Sequence, residues 1–114
     1  MQSIVQTVPG RRCYLCGHMQ YLEKHHCLHG TANRKLAEED GLFVDLCQFC
    51  HRVDRTAVHG PEGKENDLKL KQDAERAWLK YYGKEVKDFI ARYGKNYIHI
   101  TTQLIISYKN AIYL

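Results

Sequence analysis

The segment 13–51, CYLCGHMQYLEKHHCLHGTANRKLAEEDGLFVDLCQFCH, decides how this chain folds. It opens on the pair Cys13–Cys16 and ends on the pair Cys47–Cys50, with 30 residues between them. A Cys-x-x-Cys pair on a tight turn presents two thiolates to one ion, and two such pairs complete a closed tetrahedron with Zn–S bonds of ~2.3 Å. A closed tetrahedron has no open position, so the spacing predicts a structural zinc held by Cys13, Cys16, Cys47 and Cys50. A redox pair would instead need one Cys-x-x-Cys in a βαβ unit. Here there are two pairs and no βαβ pattern. The fifth cysteine, Cys27, is expected to be a small buried hydrophobe.

The surroundings agree with a metal-stapled domain. The chain has 114 residues, 44% of them hydrophobic and 26% charged, which is globular composition in a size range where a metal adds much to a small core. Lys and Arg number 17 against 13 Asp and Glu, a formal charge of +4. That permits a polyanionic partner without requiring one. There is no apolar run of about 18 residues, and MQSIVQTVPGRR lacks the layout of a secretory signal. These features predict no membrane span and a reducing cytoplasmic setting, where paired cysteines are metal ligands more often than disulfides. A single domain over 1–114 is expected.

Local patterns place the elements. A short strand is expected at Ile4–Val8. YLEKHHCL reads as a strand and LFVDL as a second one entering Cys47. RKLAEED reads as one or two helical turns stopped by Gly41, and a helix is expected to start near Cys50. ENDLKLKQDAERAWLKYYG is the clearest helix, capped by Asn66 or Asp67, with Leu70, Ala74, Ala77, Trp78 and Tyr81 on one face and Gly83 as its stop. EVKDFIARYG repeats the pattern with Val86, Phe89, Ile90 and Tyr93. The tail 95–114 is β-rich and reads as an edge strand, a dimer or protein-partner contact, or part of the core.

Between the cysteine pairs lie His25 and His26. Adjacent side chains of a strand point to opposite faces, so the two imidazoles can do different work. His51 follows Cys50 directly, and a zinc site at Cys50 can bring it back toward the strand that holds His25.

In the order CYLCG, LEKHHCLHGTAN, LFVDLCQFCH, the chain resembles the HNH endonuclease family, in particular the small HNH proteins of phages and prophages. The likeness spans about residues 13–60. It implies an α+β fold: a zinc-stapled ββα-metal, treble-clef-like core, here followed by C-terminal amphipathic helices at 64–94. It implies DNA as partner and a one-metal hydrolysis of phosphodiester bonds, in a bacterial host or encoded by a phage. By the same likeness His25 and His51 are ligands of a catalytic divalent ion (Mg²⁺, Mn²⁺, Ni²⁺ or Zn²⁺), His26 is the general base, and Asn33 is the residue that orients it.

Where the family often has a second ligand on the helix this chain has Arg55, and the replacement is His59, with Asp54 the alternative. Eight residues of unbroken helix rise ~12 Å, so His59 can join His51 on an ion only if the helix breaks between them. Arg34, Lys35, Arg52 and Arg55 are candidates for gripping phosphates, and His29 for a turn or a phosphate contact. The competing function is a non-catalytic zinc-ribbon module that binds DNA or a protein.

Overall fold

The computed structural model describes residues 1–98. These form a small α+β unit with one two-stranded sheet and three α-helices: β1 (Leu22–His26), α1 (Thr31–Asp40), β2 (Phe43–Cys47), α2 (Lys64–Tyr82) and α3 (Val86–Tyr93). Between β2 and α2 lies one π-helical turn, Phe49–Val53. The strands are antiparallel, with His25 opposite Val44 and His26 opposite Phe43.

The connection between the strands is a full ten-residue helix, longer than the one or two turns expected of RKLAEED. It ends at Gly41, which sits at φ 81°. A side chain there would be strained, and its Cβ would stand 2.6 Å from the Gln2 carbonyl oxygen.

The first twelve residues do not form the expected strand. They cover the edge of β2 through side chains instead. Ser3 Oγ donates to the Phe43 carbonyl at 2.5 Å, and the Asp45 amide donates to Gln6 Oε1 at 2.7 Å. With the edge amide and carbonyl satisfied this way, backbone pairing is not needed there. The expected helix from Cys50 is likewise only the π turn. Its end, Asp54, has extended backbone and donates its amide to the Phe49 carbonyl.

The core is made by Leu28, Leu42, Val44 and Leu46 from the sheet region and by Leu70, Ala74, Trp78, Phe89 and Tyr93 from the last two helices. The face expected of α2 is correct at Leu70, Ala74 and Trp78 but not at Tyr81, which is 61% exposed. The neighbouring Tyr82 faces inward instead and donates its hydroxyl to the Asp40 carbonyl at 3.0 Å. On α3, Phe89 and Tyr93 are buried and Ile90 is exposed. Neither Asn66 nor Asp67 caps α2. The helix begins one turn earlier, after Gly63, and Asn66 donates its amide to the Thr56 carbonyl.

Asp40, at the C-terminal end of α1, joins the three helices. Its carboxylate accepts from Trp78 Nε1 at 2.9 Å, from the Tyr93 hydroxyl at 2.6 Å and from Arg92 Nε at 2.6 Å. It is 7% exposed. The readings offered for the tail fall mostly on 99–114, outside the described residues. Among the described residues no helix is long and apolar enough to cross a membrane.

Candidate metal centres and the histidine pocket

The four paired cysteines meet. One sulfur from each of Cys13, Cys16, Cys47 and Cys50 lies within 4.8 Å of the others. Cys16 Sγ and Cys47 Sγ are 3.7 Å apart, close to the ~3.8 Å edge of a tetrahedron with ~2.3 Å bonds and far beyond a disulfide bond.

The backbone prepares the knuckle for thiolates. Gly17, at φ 82°, closes the turn with its amide on the Cys13 carbonyl at 2.8 Å. Burial pushes the Cys13 thiol up, but backbone amides of Cys47, Cys16 and Leu15 outweigh it and bring it down to about 7. The Cys50 thiol is pushed up by burial and then by crowding against Cys16, Cys47 and Cys13. Four sulfurs packed this closely, one already acidified, have the chemistry of a structural metal site, and zinc fits it. Cys27 is fully buried apart from this cluster, and burial raises its thiol.

The residue after Cys50 opens a second cluster. His51 is in the π turn, and the chain then folds back on itself: the Val58 amide donates to the Cys50 carbonyl at 2.9 Å, and the His59 amide to the His51 carbonyl at 3.0 Å. The break demanded by the spacing of His51 and His59 is therefore present. The return is tight, because a Cβ on Gly63 would stand 1.8 Å from the Ala57 carbonyl oxygen. His51 and His59 have ring centroids 4.8 Å apart, and His25 stands 5.1 Å from the first and 5.4 Å from the second. One donor nitrogen of each lies within 4.8 Å of the other two.

His25 is the deepest of the three, at 3% exposed, and its Nε2 is buried with no hydrogen-bond partner among the described residues. A buried polar atom left unpaired is costly, and a cation is one partner that would satisfy it. Burial lowers the His25 pKa to about 3, with the neighbouring His51, His29 and His59 adding to the effect. The ring is therefore neutral near pH 7 and keeps its lone pair.

Strand alternation sorts what surrounds the two adjacent histidines. Glu23 shares a face with His25 and accepts from His51 Nδ1 at 2.8 Å. An ionised carboxylate can only accept, so Nδ1 carries the proton and Nε2 is left for an ion, the carboxylate–histidine arrangement seen behind metal ligands. Arg52 also grips Glu23. Arg52 and His51 together hold that carboxyl down at about 2.

On the opposite face His26 Nε2 is bonded to Glu38 Oε1 at 2.7 Å. Lys24 holds the same carboxylate, and Lys24 and His26 lower its pKa. By the same reasoning the lone pair of His26 is on Nδ1.

A cleft of about 330 Å³ runs over the end of β1, lined by Lys24, His25, His26, His29, Arg34, His51 and His59. His26 and Arg34 also line an adjoining hollow of about 390 Å³ with Thr31, Lys35 and Glu38. A larger hollow of about 480 Å³ lies beside the N-terminal segment and gathers no set of metal donors.

Several expected residues are elsewhere. Asn33 is not in the cleft; its amide donates to the Tyr93 carbonyl at 3.2 Å, on the side of α1 that packs against α3. Asp54 is exposed at the end of the π turn and joins no donor cluster among the described residues. Arg55 is paired with Glu62 at 2.6 Å and Arg52 with Glu23, so of the four basic candidates Arg34 and Lys35 remain at the clefts.

Three carboxylates that hold the histidines are not marked by any motif. Glu23 had a signal, since it is two residues before His25 on a strand and so shares its face. Glu38 and Asp67 reach their histidines across sequence gaps of 12 and 38 residues, and nothing local marks them. The chain matches no protein-family model, no curated protein and no solved structure.

Proposed function

We propose that this protein is a metal-dependent DNA endonuclease of HNH type, built on a treble-clef-like core stapled by zinc at Cys13, Cys16, Cys47 and Cys50. The observation that supports it most is the meeting of His25, His51 and His59, with the orphaned Nε2 of His25 among them, in a cleft that His26 also lines. Three imidazoles leave coordination positions open, as catalytic metal sites do and closed structural sites do not. A divalent ion bound there would act as a Lewis acid on a phosphodiester and screen the departing 3′-oxygen.

The chain's own residues divide the remaining work. His25, neutral and fixed by burial, and His51, oriented by Glu23, hold the ion, with His59 returned to them by the folded-back loop. His26 stands free of that set. Its Nδ1 takes the proton from the attacking water, while Glu38 holds the other nitrogen and stabilises the charge that the ring acquires. Glu38 thus takes the orienting part that the family resemblance assigns to Asn33. Arg34, at the junction of the two hollows, grips a phosphate of the DNA backbone.

The test is a plasmid-nicking assay with the zinc-loaded protein, with and without EDTA and with Mg²⁺, Mn²⁺ or Ni²⁺ added. Conversion of supercoiled to open-circular DNA that needs the added ion and is lost in His26→Ala is the expected result. Nicking by no tested ion, together with a single metal per chain, would replace this reading with a non-catalytic zinc module.

A further inference from the structure

Three imidazoles surround the His25 ring, and only two of them belong to the ion position described above. The third, His29, lies in the loop after β1, with its ring centroid 5.6 Å from that of His25 and 5.8 Å from that of His59. Its Nε2 is bonded to Asp67 Oδ1 at 2.5 Å, and an ion held by both would displace the proton between them to solvent. Asp67 is in the first turn of α2, with its other oxygen 2.8 Å from Lys71 Nζ. One donor atom each of His25, His29 and Asp67 lies within 4.8 Å of the other two, the same limit that the His25, His51 and His59 donors meet. Both sets depend on His25, whose buried Nε2 has no partner among the described residues.

We propose that the pocket has two mutually exclusive ion positions sharing His25, and that the one formed by His25, His29 and Asp67 takes Zn²⁺. The inference rests on reading the histidine cluster as an ion site. One imidazole nitrogen binds one ion, so filling either position empties the other.

The two donor sets differ in kind. Both three imidazoles and two imidazoles with a carboxylate are zinc sets that leave a fourth position open, but only the second brings a negative charge to the ion. The two positions also lean on different elements. His51 and His59 belong to one folded-back loop, while Asp67 brings in α2. An ion held with His29 and Asp67 would occupy the His25 nitrogen that the first position needs, so excess Zn²⁺ would withdraw His25 from the catalytic arrangement and act as an inhibitor.

Ion binding decides this without DNA. The full chain is prepared with its cysteine site filled by zinc, and further Zn²⁺ is titrated in by calorimetry, with Co²⁺ absorption as a second readout. The parent should bind one ion beyond the structural zinc. A His51→Ala/His59→Ala protein should still bind one, and adding Asp67→Asn to it should abolish that binding. If the double variant binds none while the parent binds one, the second position does not exist and the first stands. Two further ions in the parent would overturn mutual exclusion. No further ion in the parent would overturn both this inference and the catalytic reading. Should the double variant lose its structural zinc, Asp67→Asn alone decides: it should alter the Co²⁺ spectrum of the parent, and an unchanged spectrum rejects the proposal.

Discussion

Replacing Asp40 by alanine tests the joint between the helices. The carboxylate serves three donors, and they are not equally vulnerable. Trp78 Nε1 and the Tyr93 hydroxyl belong to side chains that are 5% and 4% exposed, so neither can turn to water. Arg92 has a side chain 34% exposed, and its guanidinium can rehydrate, so it adds little. An unsatisfied buried donor costs about 1–3 kcal/mol, and two of them give a loss of about 2–6 kcal/mol. That is a large part of the about 5–15 kcal/mol by which small domains are stable. With a mid-range urea slope of about 2 kcal/mol per M, the midpoint of the zinc-loaded protein should fall by about 1–3 M with the slope unchanged. Asp40→Asn keeps the shape and one acceptor oxygen but turns an N–H₂ group toward donors, so it should lose less. Both variants are measured by urea titration followed by Trp78 fluorescence. A loss below about 1 kcal/mol in Asp40→Ala would mean that the three donors find other partners, and the reasoning would fail.

Other expectations are separable from that one. Cys47→Ser should lose the structural zinc and with it the cooperative melt, because binding and folding are coupled at such sites; metal content by mass spectrometry and a thermal scan read both, and an unaltered pair of values refutes the site. Trp78→Ala should cost about 3–5 kcal/mol, and the parent indole should resist acrylamide quenching; free quenching would contradict its burial. His25→Ala should abolish ion binding in the histidine pocket, whereas His26→Ala should keep the ion and lose nicking by about 10²–10⁴-fold; equal nicking by His26→Ala and the parent would remove the general base. Arg34→Ala should weaken DNA binding at all sequences and reduce the slope of log affinity against log salt by about 1; an unchanged slope would show that Arg34 touches no phosphate.

What the sequence discloses depends on how local the cause is. Both strands and the two C-terminal helices are written in short-range patterns, and the cysteine pairs carry their own geometry, so these can be read from the chain. Tyr81 and Tyr82 are adjacent aromatics near the end of α2, and periodicity alone selects the wrong one; Tyr82 is drawn inward by the Asp40 carbonyl, 42 residues away in sequence. Analogy to a motif position points to Asn33, but α1 turns it toward Tyr93. Glu38, on the same helix, is the one that reaches His26. The partners of the histidines are fixed by packing between elements, which no window of ten residues contains.

The peptide bond between Cys50 and His51 has a consequence for how the protein is assembled. One residue belongs to the sulfur cluster and the next to the imidazole cluster, with no spacer that could absorb a displacement. If both centres are filled as proposed, closing the sulfur cluster fixes the place from which His51 meets His25, so metallation at that position should have an order: the thiolates first, the pocket second. On the proposed reading, a chain starved of zinc should lose the ion position that needs His51, and restoring zinc alone should return it. Over evolutionary time the same bond ties the fates of the two sites. A mutation that loosens the scaffold at Cys50 is at once a mutation of the pocket.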